Sequence, residues 1–173
     1  GARAIVDIIT GKENPSGKLS VSIPYKASCL PAYYNCLNNN EAAYVDSKKR
    51  ILYPFGYGLS YSEFEYSDLQ IDKLGKNEFE VSCTVENKSD IAGKEVVQLY
   101  IHGSGNTIKR RNIELKGFKK IKLDAHESRK VTFKLGYAEL KIYSAREKFE
   151  VEDGRVKILI GAPSGFVLET EVQ

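Results

Sequence analysis

The chain has 173 residues, of which 26 are Lys or Arg and 23 are Asp or Glu, and its formal net charge at pH 7 is +3. This length accommodates one ordinary domain, or one small domain together with part of another. The nearly balanced charge argues against a dedicated nucleic-acid partner. No apolar run reaches the about 20 residues of a transmembrane helix, so no membrane partner is predicted.

The first residues predict the end of an amphipathic helix, then a turn and one strand. Apolar residues form a stripe at helical spacing before the expected C-cap at Gly11: Ala4, Ile5, Ile8 and Ile9. Asn14-Pro15-Ser16-Gly17 has turn chemistry. Alternating apolar residues then predict a short strand that ends at Pro24: Leu19, Val21 and Ile23. A helix and one strand cannot bury a core, so this segment requires neighbours.

The cellular compartment is only weakly constrained by the sequence. Residues 1–10 lack the basic start, apolar middle and cleavage pattern of a signal peptide, which favours a cytoplasmic over a secreted protein. A start at an internal position of a longer protein would leave the compartment open. Asn87-Lys88-Ser89 is an N-glycosylation sequon, which matters only in a eukaryotic secretory route.

Residues 25–51 show no helix or strand period, which is a long irregular stretch for a compact domain. Three aromatic residues indicate that it docks on other structure: Tyr33, Tyr34 and Tyr44. Cys29 and Cys36 lie in this stretch and could pair, but free thiols are the preferred interpretation because nothing else suggests a disulfide scaffold. Cys83 lies in an alternating pattern and is interpreted as a small buried hydrophobe.

One stretch, Tyr53-Pro54-Phe55-Gly56-Tyr57-Gly58-Leu59-Ser60-Tyr61, separates two kinds of sequence. It fits neither a helix nor a strand period. Proline fixes φ and lacks an N–H, while glycine permits a positive φ or a close backbone approach. A flexible linker would be polar and rich in Ser or Gly. The stretch therefore predicts a rigid joint, anchored by aromatic residues, between two domains at 1–61 and 62–173.

After this joint the hydrophobic period becomes two. A first strand begins at Phe64, with a bulge near Ser67 and Asp68, and a second alternates cleanly from Phe79 to Val85. Five more strands are expected at 97–101, 113–123, 131–135, 156–160 and 166–172, with a shorter one at 149–151. Seven or eight short strands separated by turns predict a mainly β protein with an immunoglobulin-like β-sandwich.

Several of these segments, in this order, resemble glycoside hydrolase family 3, whose members are β-glucosidases, β-xylosidases and relatives. The segments are Asn14-Pro15-Ser16-Gly17-Lys18-Leu19 with Ile23-Pro24, Tyr33-Tyr34-Asn35, Tyr44-Val45-Asp46, the joint, and Phe64-Glu65-Tyr66-Ser67. Ala92-Gly93-Lys94-Glu95-Val96-Val97-Gln98-Leu99-Tyr100, Glu114-Leu115-Lys116-Gly117-Phe118 and Val131-Thr132-Phe133 are similar to the family's fibronectin type III-like domain. The resemblance implies that residues 1–61 end an α/β sandwich domain. It also implies that the catalytic aspartate and glutamate lie in parts of the family pattern that this sequence does not include.

No catalytic residue is assigned within the chain. A glycosidase needs two carboxylates about 5–9.5 Å apart. Glu63 and Glu65 would have roughly that spacing along a strand. They are nevertheless interpreted as solvated edge residues because no sugar-sized pocket is implied and they do not match the family's catalytic positions. Glu152 and Asp153 precede Gly154 and are interpreted as turn residues.

No metal or cofactor is expected either. His102 and His126 are isolated, and no Cys or His spacing suits zinc. Gly103-Ser104-Gly105 is not followed by the Lys-Ser/Thr and helix of a phosphate loop. Residues 109–122 hold seven Lys or Arg against one acid, Glu114, and alternate with apolar residues, which favours the solvated face of a strand over a polyanion site.

Four aromatic residues are candidates for contact with substrate, since aromatic faces stack on pyranose rings: Tyr33, Tyr34, Phe55 and Tyr57. Anchoring of the joint is the preferred interpretation, because one sugar subsite needs fewer aromatic residues.

The resemblance therefore implies a non-catalytic scaffold of a β-glycosidase that acts on β-linked glucosides or xylosides. The expected partner is either the remaining catalytic domains, in the same or a separate chain, or a second copy of this chain. The alternative is an autonomous β-sandwich module that binds carbohydrate or protein. A row of exposed aromatic residues on one sheet face would favour that alternative.

Overall fold

The computed structural model describes residues 1–37, 49–104, 106–162 and 165–172. An N-terminal segment with little regular structure lies against a β-sandwich. The resemblance at Tyr44-Val45-Asp46 falls outside the described residues.

The N-terminal segment begins with helix α1 (Ala2–Ile9); its C-cap is Thr10, one residue before the expected Gly11, which follows in the left-handed region at φ 74°. Strand β1 (Ile23–Pro24) pairs antiparallel with β2 (Ile51–Tyr53), and a 3₁₀ turn (Ala27–Cys29) follows β1. The predicted strand over residues 19–23 is shorter than expected. Its first residue bonds to the joint instead of to a neighbouring strand: Leu19 N–H donates to Tyr57 O (2.8 Å) and Gly56 N–H donates to Leu19 O (2.7 Å).

The sandwich has a four-stranded sheet and a three-stranded sheet, with antiparallel pairing throughout. The four-stranded sheet has the order β11 (Gly165–Val172), β10 (Arg155–Ala162), β5 (Gly93–Ser104), β6 (Glu114–Leu123). The three-stranded sheet has the order β3 (Phe64–Gly75), β4 (Glu78–Asn87), β7 (Ser128–Leu135). These elements confirm the predicted mainly β class and the sandwich.

Alternation along the strands builds one core between the two sheets. Buried residues at every second position face inward: Val81, Cys83 and Val85 from β4, Val97, Leu99 and Ile101 from β5, Val131, Phe133 and Leu135 from β7, and Ile158 and Ile160 from β10. The bulge in β3 is also confirmed, because the register with β4 shifts between Ser67 and Gln70, and Asp68 has φ 53°.

The connection from β7 to β10 was not predicted. It contains a four-residue helix α2 (Tyr137–Leu140) and a hairpin of β8 (Ile142–Tyr143) and β9 (Phe149–Glu150). The strand expected at 149–151 is therefore one arm of this hairpin and not a sandwich strand. Elements of two to four residues are too short to produce a hydrophobic period.

The cysteines agree with the sequence interpretation. Cys29, Cys36 and Cys83 form no disulfide, and Cys29 and Cys83 are buried. Burial raises the pKa of the Cys83 thiol to about 11, which leaves it as a neutral apolar side chain at neutral pH.

Candidate functional site: the joint

The joint (residues 53–61) crosses the outer face of the four-stranded sheet and is held there by buried polar groups. Gln98 Nε2 donates to the carbonyl oxygen of Gly56 at 3.1 Å, and Tyr100 OH donates to Gln98 Oε1 at 2.7 Å. Gln98 and Tyr100 are both buried, and Gly56 has φ 77°. Glycine is required here because the backbone is left-handed and the neighbouring side chains leave no room for a Cβ.

Aromatic rings surround this contact. Tyr34 and Phe55 stack with ring centroids 4.2 Å apart and an interplanar angle of 15°. Each meets Tyr100 edge-on at 6.5 Å, and Phe166 of β11 contacts the same ring at 5.5 Å. Such pairs contribute about 0.5–1.5 kcal/mol each beyond the burial of their area. The rings therefore tie the irregular 30–37 stretch, the joint and the sandwich together.

The four aromatic candidates for substrate contact do not form one cluster. Tyr34 and Phe55 lie together on Tyr100, whereas Tyr57 stacks on Tyr53 at 5.0 Å. Tyr33 is 69% exposed. Three of the four rings thus pack against other rings of the chain, and Tyr33 presents most of its surface to solvent.

Sequence reasoning missed a polar anchor at Asn14. Its amide nitrogen donates to Ser62 Oγ (2.8 Å) and to Ala92 O (3.0 Å). Its amide oxygen accepts from Ser60 Oγ and from Tyr61 N, both at 2.9 Å. The only sequence signal was the Asn-Pro turn, which gives no information on partners 46 to 78 residues away.

A second anchor that the sequence did not reveal is an ion pair between the segments. Lys18 Nζ lies 3.1 Å from Glu95 Oε2, and the two side chains are 17% and 9% exposed. Tyr66 OH donates to the other carboxylate oxygen at 2.9 Å. Burial and the adjacent Glu95 raise the pKa of Tyr66, so the phenol stays protonated and keeps donating. Removing one partner of such a pair leaves a charge poorly solvated.

The 30–37 stretch is also held by the connection between β5 and β6. Arg111 Nη1 donates to Asn35 O and Asn112 N donates to Cys36 O, both at 2.9 Å.

Arg110 and Lys116 bind the two oxygens of Glu114 at 2.9 Å and 3.0 Å. Burial alone would raise the pKa of Glu114, but these hydrogen bonds outweigh it and lower the pKa. Some of the Lys and Arg residues at 109–122 therefore stabilise the fold through these contacts.

The carboxylates show no catalytic arrangement. Glu63 and Glu65 are exposed, and Glu65 pairs with Lys88 at 3.1 Å. Both oxygens of Glu152 accept from Thr107. Among the described residues, no His, Cys, Asp or Glu side chains cluster in threes as metal ligands. None of the described helices has the length and apolarity needed to span a membrane.

We expect Phe55→Ala to loosen this contact. A fully buried Phe→Ala change costs about 3–5 kcal/mol. Phe55 is half-buried, so we expect a loss of about 2–4 kcal/mol in the free energy of urea unfolding, together with faster proteolysis within residues 25–51. Phe118→Ala is the matched control, because that ring is 67% exposed. Unchanged protease resistance in Phe55→Ala would contradict the anchoring role.

Comparison with known proteins agrees with this geometry. The model of the glycosyl hydrolase family 3 C-terminal domain matches residues 1–61, and that of the fibronectin type III-like domain matches residues 95–164. The chain is 38% identical over 177 residues to thermostable β-glucosidase B of Acetivibrio thermocellus, covering 93% of this chain. It is 36% identical over 168 residues to a β-xylosidase of Formosa agariphila, again covering 93% of this chain.

Solved structures show the same similarity in three dimensions. A β-glucosidase of Erythrobacter marinus superposes with a TM-score of 0.90 at 38% identity, over 98% of this chain and 23% of that one. A β-glucosidase of Listeria innocua gives 0.88 at 38% identity, over 99% of this chain and 26% of that one. The chain spans only 23% of the length of the two curated relatives.

Proposed function

The chain belongs to glycoside hydrolase family 3, and on that premise we propose that it is the non-catalytic scaffold of a β-glycosidase acting on β-linked glucosides or xylosides. In this role the sandwich and the joint support catalytic domains that supply the nucleophile and the acid/base. The substrate class rests on the names of the relatives. The scaffold role rests on the N-terminal segment.

One observation carries the scaffold proposal: the N-terminal segment is firmly attached yet exposes an apolar surface. Ile5, Ile9 and Val21 are 60%, 76% and 59% exposed. The same segment is fixed to the sandwich by the Asn14 and Lys18 contacts, and Tyr61 OH donates to Ile8 O at 2.8 Å. Exposed apolar patches on an ordered segment mark a contact surface. We propose that the remaining catalytic domains, or a second copy of this chain, bury this apolar surface.

We place the domain division between residues 61 and 62. Ser62 is buried and donates through its hydroxyl to Ile91 O at 3.1 Å, within the sandwich. Tyr61 instead contacts α1 and Asn14. Ser62 also accepts from Asn14, so Asn14 bridges the division, and the added hydrogen bond from Ser62 to the sandwich supports placing the division there.

We keep Tyr33, Tyr34, Phe55 and Tyr57 as proposed substrate contacts of the complete enzyme, with Tyr33 first among them because its ring is the most exposed of the four. The alternative, an autonomous binding module, has less support. In the described part of the sandwich, exposed aromatic residues do not form a row on one sheet face: Tyr137, Tyr143 and Phe149 lie on α2 and the β8–β9 hairpin, and Phe118 lies on β6.

The 173-residue chain alone is expected to be catalytically silent, because Glu63 and Glu65 are exposed at the start of β3 and both oxygens of Glu152, which lines a cavity beside Asp153, are engaged by Thr107. The test is release of nitrophenol from 4-nitrophenyl β-glucoside and β-xyloside. The control is Glu63→Gln with Glu65→Gln, which removes one pair of carboxylates at a suitable spacing along an extended chain. Turnover by the unmodified chain above this control would contradict the non-catalytic assignment.

Six apolar residues of the N-terminal segment are expected to become buried in the complete assembly. They are Ile5, Ile8, Ile9, Leu19, Val21 and Ile23. Hydroxyl-radical footprinting of the chain alone, and within the complete gene product or a self-complex, should show several-fold weaker labelling of these residues in the assembly. Phe149, which is 61% exposed on the β8–β9 hairpin, is the reference. Equal labelling in both samples would mean that the segment is not part of a larger domain.

A further inference from the structure

A cavity of about 460 Å³ opens at the end of the sandwich where the β3–β4 turn, the residues before β10 and the end of β11 meet. It lies apart from the joint and from every residue considered above as a substrate contact. Its apolar lining comes from five side chains: Phe79, Leu140, Val151, Val156 and Val172. The volume falls in the range of about 300–1,000 Å³ that is typical of small-molecule sites.

Some charged residues around the cavity form ion pairs or hydrogen bonds within the chain, and others do not. Arg155 pairs with Glu171 at 3.5 Å, and the carboxylate of Glu152 accepts from Thr107. Among the described residues, neither Lys73 nor Lys76 has a carboxylate partner, and Asp153 has no cationic partner. The unpaired charges that line the cavity are thus two positive against one negative.

Lys73 holds its charge beside the apolar wall. Its Nζ lies 6.0 Å from the centroid of the Phe79 ring, which is itself buried. Lys73, Phe79 and Val172 also line an adjoining groove of about 420 Å³, which runs between β3 and β11 over Leu69 and Ile71. The cation therefore stands where the two apolar spaces meet, and an apolar body larger than one ring has room beside it.

We propose that this cavity binds a small organic anion with an apolar body, in the simplest case a bicyclic aryl carboxylate. The rings would lie against Phe79 and the aliphatic lining, which removes apolar surface from water. The carboxylate would lie near Lys73 and Lys76. A neutral ligand of the same shape gains only the apolar contact with the lining, and a cationic ligand is repelled by the two lysines. This site goes beyond the proposed function and does not depend on it.

The test is calorimetric titration of the 173-residue chain with naphthalene-2-carboxylate and with the matched neutral naphthalene-2-carboxamide. We expect saturable binding of one molecule, with the carboxylate about fivefold tighter because two partly exposed ion pairs favour it. Lys73→Gln with Lys76→Gln should bring the carboxylate to the affinity of the carboxamide. Lys94→Gln with Lys120→Gln removes the same charge from exposed positions elsewhere and should leave the fivefold difference intact.

A second measurement locates the ligand. In amide shift mapping, the largest changes should fall at Lys76, Val151 and Val156, and Val156→Trp should weaken both ligands by filling the cavity. The proposal is overturned if neither ligand binds saturably, if both bind equally to the unmodified chain, or if both double variants lose affinity equally. Shift changes centred on any other surface would also overturn it.

Discussion

Gly56→Ala is expected to lower the free energy of unfolding by about 2–5 kcal/mol, combining a left-handed backbone with a steric clash. The backbone at Gly56 has φ 77°, and an added Cβ would lie 2.3 Å from Gln98 Oε1 and 2.8 Å from the Tyr100 hydroxyl. Both neighbours are buried side chains that bind each other. The methyl group therefore has to displace the polar pair that holds the joint on the sheet.

Gly11→Ala separates the two contributions. Gly11 has a similar φ of 74°, but nothing lies within 4 Å of the position its Cβ would take. This variant should lose only the backbone cost of about 1–2 kcal/mol. Urea unfolding of both variants measures the difference directly. Equal losses would mean that the joint accommodates a methyl group, and that the contact of Gly56 with Gln98 is not a tight anchor.

The sandwich could be predicted from sequence because its signals are local. In β4, buried Val81, Cys83 and Val85 alternate with polar residues, and this period of two survives in the structure because one side of the strand faces the core. The bulge near Asp68 in β3 could be predicted for the same reason, because an extra residue shifts the alternation of apolar and polar side chains. These features require knowledge of only the neighbouring residues.

The anchors of the joint could not be predicted in this way. The aromatic residues of the joint indicated that it docks, but not on what. Glu95 is a charged residue in a buried strand, and the alternation of apolar and polar residues gives no information on its partners. Only the fold brings Lys18 and Tyr66 to its two carboxylate oxygens. Asn14 was interpreted as a turn residue, although its side chain binds Ser62 and Ala92 across the domain division. Such contacts depend on how distant segments meet, and one sequence does not encode that in any short pattern.

The glycosylation sequon at Asn87 is a second feature whose role could not be predicted from the sequence. Asn87 is fully buried and its amide nitrogen donates to Ile91 O at 2.8 Å, Asp124 O at 3.0 Å and Leu123 O at 3.4 Å. Its amide oxygen accepts from Ser89 N at 3.0 Å. A glycan on this nitrogen is incompatible with the folded sandwich. The residue fixes the turn between β4 and β5 to the turn between β6 and β7.

Asn87→Ala is therefore expected to destabilise the chain by about 3–5 kcal/mol, since each buried polar group left without a partner costs about 1–3 kcal/mol. The methyl group also leaves a small cavity. Ser89→Ala is the matched control: it removes the same sequon and a hydroxyl that accepts from Glu63 N near the surface, but keeps Asn87. We expect the control to lose less than about 1 kcal/mol. Urea unfolding of both variants, expressed in bacteria, measures these losses. If the two agree within about 0.5 kcal/mol, water replaces the Asn87 amide at the three carbonyls, and the turns are held by the backbone alone.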